Sequence, residues 1–203
     1  LFNVRMRERG AEARWVRSPW ETAEWRVLID ANTRFLYAEM PSNPQQACCD
    51  ITALAELAHE FEIPLLVDAT IATPCLMRPL AHGADIVLHS LTKTIGSSGA
   101  ALGGAIVSRL PVTSLHLAEE AKADYASWLK LWPYRDSGPC LSPLAAFLLL
   151  SDLRTLRLKM RTFSENTAAV ASFLAGHPKV ASVDYLGLPS HPLHDLAARY
   201  MKL

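Results

Sequence analysis

The chain has 203 residues, 50% of them hydrophobic, with 20 basic against 20 acidic side chains. That is enough for one packed domain, or one domain plus part of another. Zero formal net charge argues against nucleic acid or an anionic membrane as partner, no apolar run reaches the ~20 residues of a membrane span, and no signal peptide opens the chain.

The predicted elements alternate between helix and strand. Leu1–Arg9 reads as the tail of a helix with Gly10 as its C-cap. Ala13–Val16 is a short strand candidate, and Glu21–Asp30 places Trp25, Leu28 and Ile29 at helical spacing. Arg34–Met40 reads as a strand closed by the turn Pro41-Ser42-Asn43-Pro44. Asp50–Phe61 is an amphipathic helix with Leu54, Leu57, Ala58 and Phe61 on one face. Ile63–Asp68, Ala84–His89 and Gly103–Ser108 are three further apolar strands. Residues 113–135 mix helix and loop and carry Tyr125, Trp128, Trp132 and Tyr134; for Trp128 and Trp132 core packing and an interface are equally open. Residues 143–175 read as one long helix or two abutting ones, and Lys179–Tyr185 as a strand that begins a new unit. A boundary near residue 155 divides the chain into 1–155 and 156–203. The chain begins without methionine and ends inside a helical pattern, which reads as a piece of a longer protein.

The cysteines add a compartment. Cys48 and Cys49 are adjacent, while Cys75 and Cys140 stand alone, without CxxC or metal-type spacing. They read as reduced thiols, and the expected location is the cytoplasm.

Short apolar strands alternating with helices imply an α/β fold with a mainly parallel sheet covered on both faces. Ligands of such sheets sit beyond the carboxyl ends of the strands. Three polar clusters fall there: Ser42-Asn43, Asp68-Ala69-Thr70 and Ser90-Leu91-Thr92-Lys93. A lysine just after a buried strand is partly desolvated, which favours the neutral, nucleophilic amine. Ser90 and Thr92 offer hydroxyls suited to a phosphate. By itself the Ser-x-Thr-Lys string also fits an exposed lysine in a loop. Asp68 ends an apolar strand, and a buried carboxylate requires a cationic partner. A pyridinium nitrogen is one such partner, and a helix N-cap or a metal ligand are the other readings of that aspartate.

The stretch Val67-Asp68-Ala69-Thr70-Ile71-Ala72-Thr73-Pro74, followed by Gly83-Ala84-Asp85-Ile86-Val87-Leu88-His89-Ser90-Leu91-Thr92-Lys93, closely resembles the Cys/Met-metabolism enzymes that use pyridoxal 5'-phosphate (PLP). That family includes cystathionine γ-synthase, methionine γ-lyase and O-acetylhomoserine sulfhydrylase. Glu39-Met40-Pro41-Ser42-Asn43-Pro44, Gly138-Pro139-Cys140-Leu141-Ser142-Pro143 and Tyr185-Leu186-Gly187-Leu188 also resemble its segments. The resemblance implies the large domain of the aspartate aminotransferase-like fold (fold type I) and the start of a smaller α+β domain. It implies that Lys93 binds PLP as a Schiff base and shuttles protons, that Asp68 binds the pyridine nitrogen, and that Ser90 and Thr92 hold the phosphate. Asn43 would sit near the phenolic oxygen, and Thr70 either beside the ring or as a helix cap. No metal is implied. The implied reaction is γ-replacement or γ-elimination on O-acyl-homoserine, cystathionine or a related small amino acid, by a tetramer built from tight dimers.

The chain departs from the family in two places. Ala69 stands where the family usually has the asparagine of Asp-Asn-Thr. Thr94-Ile95-Gly96-Ser97-Ser98-Gly99 replaces an aromatic residue followed by Gly-Gly-His, and reads as a flexible turn rather than a phosphate loop. The resemblance also places the family's Gly-Met loop, ring-stacking tyrosine, Tyr-x-Arg pair and carboxylate-binding arginine outside this chain. Arg78 and Arg135 read as structural or solvated, and His191 and His194 as surface residues rather than a metal pair. A competing reading is a chain that has lost catalysis and serves as a binding or oligomerisation module. An aminotransferase or desulfurase of the same fold is disfavoured by the Ser-Asn-Pro turn and the Gly-Pro-Cys-Leu-Ser-Pro segment.

Overall fold

The computed structural model of the chain describes residues 2–201. Four apolar stretches form strands: β1 (Leu36–Glu39), β2 (Leu65–Asp68), β3 (Ile86–Ser90) and β4 (Gly104–Ser108). They make one sheet of order β1-β2-β3-β4. β1, β2 and β3 run parallel, and β4 returns antiparallel to β3. The mainly parallel sheet expected from the apolar strands is therefore present. Its helices are α1 (Thr22–Arg26), α2 (Ile51–Glu60), α3 (Thr73–Leu76), α4 (Glu119–Ala123), α5 (Tyr125–Leu129), α6 (Arg135–Ser137), α7 (Pro143–Leu153), α8 (Leu156–Ala175) and α9 (His194–Tyr200).

Side chains alternate across each strand, so one face is apolar and the other mixed. Leu36, Ala38, Leu65, Val67 and Val87 are buried in one core with Ile51, Leu54, Leu57 and Ala58 of α2. The opposite face carries Tyr37, Glu39, Leu66, Asp68, Leu88 and Ser90, all half-buried. α2 starts where expected: the Asp50 carboxylate accepts the Ala53 N–H at 3.0 Å and caps the helix. The hydroxyl of Tyr200 in α9 donates to the same carboxylate, and Arg199 pairs with it at 3.1 Å, docking the end of the chain on this cap.

A buried knot fixes the other end of the sheet. Asp85, fully buried before β3, accepts the Leu65 N–H at 2.9 Å and the Thr113 N–H at 3.0 Å. His59 of α2 lies 2.8 Å away and Arg109 3.8 Å away. One carboxylate thus ties α2, the start of β2 and the segment after β4.

Several elements differ from expectation. Ala13–Val16 and Lys179–Tyr185 form no strands, because strand-like residues need a neighbour to complete a ladder. The first helix shrinks to Thr22–Arg26, since Asp30 accepts the Asn32 N–H at 2.9 Å and Arg14 takes the Leu28 carbonyl at 2.7 Å. Such local side-chain bonds compete with helix continuation. The opening segment is helical as expected, but as a wide π-type turn over Phe2–Met6 and a 3-10 turn over Arg7–Arg9, ending at left-handed Gly10 with φ 77°; Leu1 lies outside the described residues. Residues 143–175, by contrast, follow one of the two expected readings and form two abutting helices that break at Arg154–Thr155. Trp128 is half-buried and stacked on Tyr125, whereas Trp132 is 53% exposed, so core packing does not account for it within this chain.

Candidate active site

Parallel strands deliver their carboxyl ends to one edge. Register pairs Glu39 with Asp68, and Asp68 with Leu88. The ladder runs on through Met40 N–H to the Asp68 carbonyl and Ala69 N–H to the Leu88 carbonyl, at 2.9 and 3.0 Å. Asp68, Thr70, Ser90 and the turn bearing Lys93 therefore share one edge.

Asp68 is the best-held group there. Its Oδ1 accepts the Thr70 N–H at 3.0 Å and the Thr70 hydroxyl at 2.6 Å. Its Oδ2 accepts the Tyr37 hydroxyl at 3.3 Å. The Thr70 oxygen in turn accepts the Ser90 N–H at 2.8 Å. Thr70 thus joins the ends of β2 and β3 and sets the angle of Asp68. It does not cap a helix. Among the described residues no cation pairs with Asp68, so its charge is met by neutral donors alone.

Ser90 is half-buried, and its hydroxyl has no protein partner among the described residues. Thr92 is tied down instead: its oxygen accepts the Gly103 N–H at 3.0 Å and its hydroxyl reaches the Gly103 carbonyl at 3.3 Å. Lys93 sits in the turn Leu91–Ile95 with non-helical φ/ψ of −91° and −126°. Contrary to the expected partial desolvation it is exposed, because the turn carries it clear of the buried strand, and its amine makes no ion pair or hydrogen bond among the described residues. The turn rests on α7. A Cβ on Gly96 would lie 2.6 Å from the Leu149 side chain, and one on Gly103 2.8 Å from it, so both glycines serve close approach. The Gly96–Gly99 turn is pinned where Ser98 donates to Asp152 at 2.5 Å.

Asn43 lies exposed on the turn after β1. Its N–H reaches Glu39 at 3.3 Å, and the Ser42 hydroxyl accepts the Ala47 N–H at 2.9 Å, which shapes that turn. The remaining sequence candidates lie elsewhere. Arg78 bonds the Pro74 carbonyl at 3.4 Å, and Arg135 pairs with Asp136 at 2.9 Å. His191 bonds Asp184 and His194 bonds the Leu186 carbonyl, each at 2.8 Å, so each has its own local partner. No group of three potential metal ligands forms among the described residues.

Two residues escaped the sequence reading. Tyr37 was detectable in principle: it lies two residues before Glu39 and so shares its face. His89, on the apolar face behind the site, is 8% exposed, and its Nδ1 has no partner. Burial holds its pKa below the usual histidine range, so it stays neutral at pH 7.

A protein-family model described as "Cys/Met metabolism PLP-dependent enzyme" matches residues 1–203. The chain belongs to this family. It is 44% identical over 176 residues to a cystathionine gamma-synthase of Mycobacterium tuberculosis, covering 87% of this chain and 42% of that one. It is 40% identical to an O-succinylhomoserine sulfhydrylase of Pseudomonas aeruginosa, with 88% and 41% covered. It is 37% identical to an L-methionine gamma-lyase of Porphyromonas gingivalis, with 89% and 42% covered. The solved structure of metB from Corynebacterium glutamicum superposes with a TM-score of 0.87 at 33% identity, over 99% of this chain and 49% of that one. The chain spans under half the length of these relatives, and it has the α/β fold of PLP enzymes of fold type I.

The residues present fit the cofactor this family uses. A half-buried carboxylate without a cation suits a protonated ring nitrogen. The Lys93 amine and the Ser90 hydroxyl, neither with a partner among the described residues, belong to the same edge.

Proposed function

We propose that this chain supplies one wall of a PLP site in an enzyme of sulfur amino-acid metabolism. The single observation that carries this reading is Asp68: a fixed carboxylate with neutral donors only, one strand away from Ser90 and the lysine turn. When bound, PLP supplies an electron sink for the pair left as the substrate's α proton departs. Lys93 would supply the amine that holds the cofactor and would then carry the proton at the substrate's α carbon. Asp68 would hold the proton on the ring nitrogen. Ser90 would donate to the phosphate, and Thr92 could join it by turning its hydroxyl from Gly103. Asn43 would donate to the phenolic oxygen, and Thr70 would position Asp68.

The substrates are O-acyl-homoserine, cystathionine or a related small amino acid, and the reaction is γ-replacement or γ-elimination. The names of the relatives, a synthase, a sulfhydrylase and a lyase, support that class. Residues 1–155 belong to the cofactor-binding unit and 156–203 begin a second one, supported by the helix break at Arg154–Thr155. The protein acts as a homotetramer in the cytoplasm. No described helix is long and apolar enough to cross a membrane, and the cysteines are free thiols.

The test is the visible spectrum of the natural protein that carries this sequence, with PLP added. A yellow band that disappears in Lys93→Ala, with activity reduced about a thousandfold or more, is the expected outcome. An intact wild-type protein that shows no band refutes the reading. Products formed from O-acetylhomoserine plus sulfide, against those from cystathionine alone, then separate replacement from elimination.

A further inference from the structure

We propose that Tyr37 is a positioning residue of this site: its hydroxyl shares Oδ2 of Asp68 with the cofactor's ring nitrogen and thereby sets how firmly that nitrogen keeps its proton. The inference rests on the PLP reading given above and deepens it.

The two oxygens of Asp68 are not equivalent. Oδ1 already takes two donors from Thr70, at 3.0 and 2.6 Å, which uses its two lone-pair directions. Oδ2 takes one donor, Tyr37, at 3.3 Å. One direction on Oδ2 is left, and that is where a ring N–H can bond. Thr70 therefore fixes the orientation of the carboxylate, while Tyr37 acts on the oxygen that does the work.

Tyr37 is suited to this task. It lies on β1 facing Asp68, and the Phe2 ring covers it at 5.1 Å between centroids. Burial, and then the charge of Asp68, push its phenol far above the usual tyrosine range. It remains an O–H donor at any pH at which the enzyme works. A donor on a carboxylate oxygen draws off charge and weakens that oxygen toward a second donor. The other ionisable groups nearby are Glu39 beside Asp68 in register, His89 behind the strand, and Lys93 beyond β3. Burial keeps His89 neutral, and the Glu39 carboxylate meets the Asn43 N–H at 3.3 Å. Neither donates to Oδ2.

The experiment uses the PLP-loaded natural protein with the cofactor's ring nitrogen labelled with 15N. The pH midpoint of ring protonation is read by NMR. In Tyr37→Phe the ring still packs on Phe2, but Oδ2 loses its competing donor. The midpoint rises by about one pH unit, the size expected for one hydrogen bond to a charged group. Fluorotyrosine introduced at position 37 makes a more acidic, stronger donor and moves the midpoint down. In Thr70→Val the carboxylate loses the hydroxyl donor but keeps the backbone N–H of residue 70, and PLP affinity drops about tenfold. A midpoint unchanged in both position-37 variants, or shifted in the opposite sense, overturns the inference while leaving the PLP site intact. A wild-type protein that does not bind PLP overturns the functional reading itself, and this inference with it.

Discussion

Asp68 and Asp85 lie at opposite ends of the same sheet, and their surroundings differ. Asp85 is fully buried and saturated: two backbone N–H groups, a histidine ring and an arginine surround it. Among the described residues Asp68, which is half-buried, meets only uncharged donors, with one acceptor direction on Oδ2 still open. A carboxylate that the protein itself neutralises is part of the framework. One that it orients but leaves without a cation is prepared for a ligand. On the proposed reading the N-terminal ends of β2 and β3 serve stability, and their carboxyl ends serve the cofactor.

The comparison breaks most visibly if Asp85 is removed. Asp85→Ala leaves His59 and two buried N–H groups unmatched, and unfolding by denaturant should show a loss of about 3–5 kcal/mol. Asp68→Ala should cost about 1 kcal/mol of stability in the same assay, yet abolish retention of PLP during gel filtration. A stability loss at Asp68 as large as at Asp85 would erase the distinction. Asp50→Ala removes the cap of α2 and should lower stability by about 1 kcal/mol, with PLP binding unchanged.

A smaller effect tests the face behind the site. His89 is neutral in the fold because burial lowers its pKa below the reference value of 6.5. Between its folded value and 6.5 the unfolded chain binds more protons, so folding stability rises with pH in that window. The contribution is complete above 6.5 and is lost as pH falls below it. Thermal unfolding at descending pH should show wild type losing stability faster than His89→Gln below 6.5, and equal slopes would remove His89 from the argument.

Much of this was legible in the residues. α2 declared itself through its cap and apolar spacing, and the strands of the sheet through short apolar runs. The three polar clusters at strand ends pointed to the site, because a parallel sheet collects its carboxyl ends on one edge. Ala13–Val16 and Lys179–Tyr185 misled because β-propensity is local, while a ladder requires a partner strand. Residues 143–175 satisfied a helical pattern throughout, and only packing decided that the helix breaks before Leu156.

The side-chain roles divide in the same way. Composition and spacing by themselves determined that Asp68, Ser90 and Lys93 stand at strand ends, since short apolar runs close on them, while the order β1-β2-β3-β4 that makes those ends neighbours belongs to the tertiary structure. Tertiary structure alone decided that Tyr37 donates to Asp68, that Thr70 ties β2 to β3, and that Thr92 bonds the backbone of Gly103. Those contacts join residues 11 to 31 positions apart in sequence, at distances of 2.8 to 3.3 Å. Hydrogen bonds at that range depend on register and side-chain rotation, and both are set by how strands and helices pack against one another.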